Sequence, residues 1–130
     1  MTGKFSDSAP FPRRGKEDLA APLDFERCVN IFGGDRGAAL KLLHDFVKNF
    51  ESRLKLLADA LAVADCEAVR KEAHSIKGAA AVLAATPLKS AAELLEEAAK
   101  SGDLVKGAKG LRAIEREIAL LATFCGKLQK

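Results

Sequence analysis

Seven apolar residues set the terms for this chain: Leu40, Leu43, Val47, Phe50, Leu54, Leu57 and Leu61 recur at intervals of 3, 4, 3, 4, 3 and 4. At 3.6 residues per turn that spacing keeps all of them on one face of a helix of about six turns. A greasy seam of that length is stable in water only when other helices cover it. The spacing therefore predicts one long strut of a helical bundle, and the rest of the chain must supply its partners.

It does so. Cys66, Val69, Ala73, Ile76, Ala80 and Leu83 form a second stripe behind Asp65, a residue suited to capping a helix start. Thr86 followed by Pro87 reads as a cap and first position of a further helix, which carries Leu88, Ala91 or Ala92, Leu95 and Ala99 and stops at Gly102. Asp103 opens a last helix striped by Leu104, Ala108, Leu111, Ile114, Ile118, Leu121, Cys125 and Leu128. Ahead of the long strut, Asp24 can cap a short helix, "FERCVNIF", that Gly33 and Gly34 end. Links this short make successive helices antiparallel. No period-two alternation of strand length and no fixed repeat interrupts the pattern. The expected fold is all-α, an up-down-up-down four-helix bundle over residues 23–130 with a short additional N-terminal helix. Residues 1–22 hold three of the four prolines among Gly, Ser and mixed charge, and read as a flexible tail.

Composition removes several functions. The 21 basic and 18 acidic residues are interspersed and leave a net charge of +3, which describes a solvated helical surface and not a nucleic-acid-binding face. "GAAAVLAA" and "IALLATFC", the longest uncharged apolar runs, fall far short of the roughly 20 residues that cross a bilayer, and the first residues lack the apolar core of a secretory signal. Cys28, Cys66 and Cys125 are odd in number, widely spaced and without a CxxC pair, so they read as reduced thiols. The expectation is a cytoplasmic, monomeric protein that engages neither nucleic acid nor membrane. There is no Gly-rich phosphate loop and no Gly-Lys-Ser/Thr, so the chain is expected to lack a nucleotide site of its own and not to be an enzyme in that sense.

The chemistry lies in "EAHSIKGAA", residues 72–80. At 100° per residue His74 points roughly 130° away from the Ala73–Ile76 stripe, outward from the bundle. Arg70, Lys71, Lys77 and Gly78 lie one turn either side of it, and Ala81, Val82 and Ala85 continue the same side as a low apolar surface. A neutral imidazole is a competent nucleophile near neutral pH. Nearby cations stabilise a dianionic adduct, Gly78 leaves room for an in-line approach, and Ala81, Val82 and Ala85 let a partner pack closely. Spacing alone favours an ordinary surface histidine over a phosphoryl carrier. His44, beside the long seam with no Lys-Gly companion, reads as a boundary histidine, and a His44–His74 metal pair lacks further ligands.

The run "DCEAVRKEAHSIKGAAAVLAATPL" resembles the signature of the histidine-containing phosphotransfer (HPt) domain family, Ala-His-x-(Leu or Ile)-Lys-Gly followed by small residues. The likeness extends over residues 23–128, through the Gly-Gly-Asp lead into the long helix, Phe46, the acidic Leu-Glu-Glu and the Gly-Asp turn. It implies His74 as phosphoacceptor through Nε2, Lys77 as the stabilising cation and Gly78 as the clearance position; Arg70 and Lys71 rest on charge alone. Ala79 stands where Ser is frequent and Ala84 where Gly is frequent, which bears on the helix end and on partner choice. The implied activity is a relay between receiver domains of response regulators, fed by a hybrid sensor histidine kinase, with no cofactor on this chain and any Mg²⁺ held by the receiver. A non-phosphorylated adaptor that docks on a receiver or kinase is the alternative. A phosphatase ranks below both, because no acid or amide lies one turn from His74 to orient a water.

Overall fold

The computed structural model describes residues 22–128, which fold into five helices and no strand. They are α1 (Phe25–Ile31), α2 (Arg36–Ala62), α3 (Cys66–Val82), α4 (Thr86–Ser101) and α5 (Leu104–Leu128). Residues 1–21 of the tail expected over 1–22, and the final residues 129–130, lie outside the described residues. The four long helices run up, down, up, down, each packed on its two neighbours in a closed ring: α2 on α3, α3 on α4, α4 on α5 and α5 back on α2.

The aspartates act as the sequence indicates. Asp24, Asp35, Asp65 and Asp103 each accept a hydrogen bond from the amide three residues on, at 3.0–3.1 Å. Each thereby satisfies one of the orphan donors at a helix start. Gly33, Gly34 and Gly102 occupy the left-handed region at φ +76°, +85° and +72°, where a side chain would be strained. Phe50, Leu43 and Leu57 of α2, Ile76 of α3, Leu88 and Leu95 of α4 and Ile114 and Leu121 of α5 are sealed in the core. Among the described residues no helix is long and apolar enough to cross a membrane.

α1 closes one end. Phe25 meets Phe124 edge-on at 6.3 Å between ring centres, and Arg36 lies over the Phe25 ring while pairing with Glu26 at 2.7 Å. Asp24 donates its amide to the carbonyl of Ala84 at 3.2 Å, tying the start of α1 to the α3–α4 link.

Two expectations need correction. Thr86 is not the cap of α4: Ala84 turns left-handed at φ 60°, its amide and that of Ala85 bond back to Ala81 and Ala80, and Ala85 becomes the capping position. Thr86 and Pro87 then both fall in the first turn. Ala84 pays for its left-handed backbone by burying its methyl, being only 6% exposed, which is why alanine serves where glycine is otherwise favoured. Leu104 does not join the stripe of α5, being 45% exposed. The seam there runs through buried Gly107 and Gly110, which the apolar pattern passed over.

At Gly110 a methyl group would stand 3.1 Å from the Cβ and 3.2 Å from the Cα of Leu95, so α4 and α5 approach nearly backbone to backbone. Gly126, on the same helix, faces open space. In denaturant unfolding, Gly110→Val is expected to destabilise by roughly 1–3 kcal/mol, whereas Gly126→Ala stabilises by up to about 1 kcal/mol. Ala64, left-handed at φ 57° and exposed, has no buried methyl to offset the strain. Ala64→Gly should accordingly raise the melting temperature, with a gain of about 0.5–1 kcal/mol.

Candidate functional site

α3 buries Val69, Ala73, Ile76 and Ala80 and so turns His74 outward, where its side chain is 64% exposed. Lys77, three residues on, shares its face. The small residues Ala73 and Ala80 on α3, with Ala91 and Ala92 on α4, are all buried, and they allow the two helices to pack closely. That proximity brings up a residue that the pattern of α3 does not contain. Glu96 of α4, only 5% exposed, reaches His74 Nδ1 at 2.9 Å with one carboxylate oxygen and Lys77 Nζ at 2.7 Å with the other.

The three groups determine one another's states. The Lys77 ammonium, with burial opposing and His74 assisting, holds the Glu96 carboxyl below its ordinary range. Glu96 in turn holds Lys77 above its ordinary value, aided from the open side by Glu93 and Glu97. An ionised carboxylate can only accept a hydrogen bond, so Nδ1 is the nitrogen that carries the proton. In the neutral ring Nε2, at the opposite corner of the exposed imidazole, then carries the lone pair. The arrangement is thus a nucleophile oriented from behind, with a cation at its side.

Glu96 is a site residue that the sequence reading did not single out. It lies on another helix, out of reach of any reading by turns of α3. The signal was nevertheless in α4: at 100° per residue Glu96 falls roughly 80° from Leu88, the same angular distance as buried Ala98 on the opposite flank. An acid that close to an apolar stripe is desolvated on packing and needs partners.

Of the three expected cations, only Lys77 makes a direct contact within the site. Arg70 is turned back onto Glu67 by two hydrogen bonds, at 2.7 and 3.2 Å, and Lys71 is exposed without touching the ring's hydrogen-bond network. Lys77 alone joins His74, through Glu96. Gly78 is exposed, and a Cβ added to it would meet nothing within 4 Å. Ala81 and Val82 are exposed as expected. Ala85 is fully buried, because it caps α4 inside the α3–α4 turn, and it drops out of the outward surface.

His44 is half-buried on α2, with Nδ1 4.0 Å from Cys125 Sγ. Burial pushes the thiols of Cys28 and Cys125 above their ordinary value. Among the described residues no three His, Cys, Asp or Glu stand together as a metal cluster would require. Near the site, Arg53 of α2 and Glu72 of α3 pair at 2.6 Å, both half-buried, and fix the turn of α3 that precedes His74.

With this geometry in place, comparison with known proteins is informative. The Hpt domain family matches residues 41–124. A crystal structure of histidine-containing phosphotransfer protein B (HptB) from Pseudomonas aeruginosa PAO1 superposes with a TM-score of 0.76 at 30% identity, over 83% of this chain and 94% of that one. No curated protein sequence matches at a significant level. The outward histidine, the bundle around it and both similarities lead to one assignment: the chain belongs to the Hpt domain family, the histidine phosphotransfer proteins of two-component phosphorelays.

Proposed function

We propose that His74 takes a phosphoryl group from the aspartyl phosphate of one receiver domain and hands it to the aspartate of another, the upstream source being a hybrid sensor kinase. The observation that carries this reading is the hydrogen bond from His74 Nδ1 to a buried carboxylate, which in the neutral ring puts the lone pair on Nε2, facing solvent. Nε2 attacks phosphorus in line while the P–O bond to the aspartate breaks and its electron pair stays on the carboxylate. Lys77 sits beside the ring, close enough to follow the group's negative charge. Gly78 leaves the flank open, and Ala81 and Val82 offer the partner a surface low enough for close packing.

The chain brings a carrier site and no second reactant. Both Glu96 oxygens are engaged, one by His74 and one by Lys77, which in this reading makes the carboxylate a partner of those two donors. Any Mg²⁺ belongs in this reading to the receiver's acidic pocket. The relay is accordingly reversible, and its direction is set by the partners.

Incubation with a phosphorylated receiver should place acid-labile, base-stable label on the wild-type protein and none on His74→Gln. An unlabelled wild type across several receivers would favour the non-phosphorylated adaptor instead. The glycine makes a separate prediction. Gly78→Leu should stabilise the helix by up to about 1 kcal/mol and yet slow phosphotransfer, read by parallel denaturation and transfer assays; an unchanged transfer rate would refute the clearance role.

A further inference from the structure

The two ends of the bundle are finished differently. α1 closes the end where α3 gives way to α4 and where α5 finishes. Among the described residues no helix lies across the opposite end, which the α2–α3 and α4–α5 links form. The two most exposed large apolar side chains of the described residues both stand there, Val63 at 74% and Val105 at 69%, with Leu104 at 45% beside them. A shallow apolar cleft lined by Leu61, Ala64, Val69, Ala98, Leu104 and Gly107 joins one link to the other. A Cβ added to Gly107 would stand 3.1 Å from Leu61 Cδ1, so the start of α5 lies hard against the end of α2. Single apolar side chains on a surface are ordinary, whereas a contiguous group of them marks a place where another surface packs.

The charges of this end divide between the links. Residues 59–67 hold Asp59, Asp65 and Glu67 and no base, while residues 100–109 hold Lys100, Lys106 and Lys109 against Asp103 alone. Several of these charges have local duties: Asp65 and Asp103 cap their helices, Glu67 holds Arg70, and Lys100 stands 3.7 Å from Glu97. The side chains of Asp59 and Lys106 are exposed and engage no other side chain among the described residues. The end face thus carries an acidic edge and a basic edge with apolar surface between them.

We infer that this face is the contact surface of a homodimer and that its occupant is a second copy of the same chain, met end to end. A two-fold axis lying in the face, midway between the links, sets the acidic edge of each copy on the basic edge of the other. The same rotation brings Val63 of one copy toward Leu104 and Val105 of its partner. Four helices each about 10 Å across present roughly 400 Å² of end surface per copy. About 800 Å² in total is less than a standard stable interface buries, so the dimer is weak and forms as concentration rises. His74 lies about 12 Å along α3 from its start at Cys66, on the flank of the bundle, so the dimer leaves both histidines accessible. The sequence pattern, in which the stripes satisfy one another, predicts a monomer instead.

Sedimentation velocity of the 130-residue protein, from micromolar to millimolar concentration, tests this surface directly. The wild type should pass from monomer to dimer, and added salt should weaken the dimer. Asp59→Lys and Lys106→Glu each place like charges together twice across the two-fold axis, so either variant alone should dimerise about tenfold or more weakly. Mixing the two variants restores opposite charges at both contacts, and a heterodimer at least as tight as the wild-type dimer should form. Circular dichroism should be the same for all three proteins, since both positions are exposed. A wild type that stays monomeric at millimolar concentration overturns the inference, whether its own residues 1–21 or another protein occupies the face. So does a dimer that neither variant weakens, which would lie on another surface, or one that both variants weaken and mixing fails to restore.

Discussion

The contact between helices that carry almost no side chain at their crossings is what the rest of this structure depends on. Gly110 rests against the backbone of Leu95, and Ala73, Ala80, Ala91 and Ala92 are buried in the core beside it. Close-packed small residues draw α4 inward from both sides, toward α3 and toward α5, and fix its rotation. Leu95 then fills the core and Glu96, the next residue, is carried to the α3 side instead of to solvent. The position of a carboxylate beside His74 is therefore set by packing before any electrostatic term acts.

Electrostatics then makes that position tolerable. A buried carboxylate is strongly disfavoured when unpaired. Here one oxygen meets an ammonium and the other a ring N–H, so each lone pair turned inward has a donor. The same two contacts that satisfy Glu96 select the tautomer of His74 and hold Lys77 in place. Stability of the fold and readiness of the site share one set of hydrogen bonds.

Most of the seams, the aspartate caps and the helix order were legible in the sequence because each depends on neighbours three or four residues away. The spacing from Leu40 to Leu61 and the four capping aspartates are of this kind. His74, Lys77 and Gly78 were legible as well, since one helical face carries all three. What failed was decided by packing between helices, by where a helix ends, or by a competing partner on the same turn. Leu104 kept the interval but lost its place to glycines that pattern reading counts as blanks. Ala85 was assigned to the outer surface by continuing the α3 helix past its actual end at Val82. Arg70 looked available to His74 until Glu67, on its own turn, claimed it. Glu96 sits 22 residues from His74 along the chain, and only the antiparallel return of α4 makes them neighbours.

One ring with a dry edge and a wet edge has a consequence for how such a protein can diversify. The dry edge of His74, toward Glu96, is committed to chemistry, and altering it disturbs the core. The wet edge, bordered by Gly78, Ala81 and Val82, touches nothing the fold requires. Under the relay reading proposed above, partner choice and reactivity fall on opposite sides of a single imidazole. Substitutions can redraw the first while leaving the second as it stands.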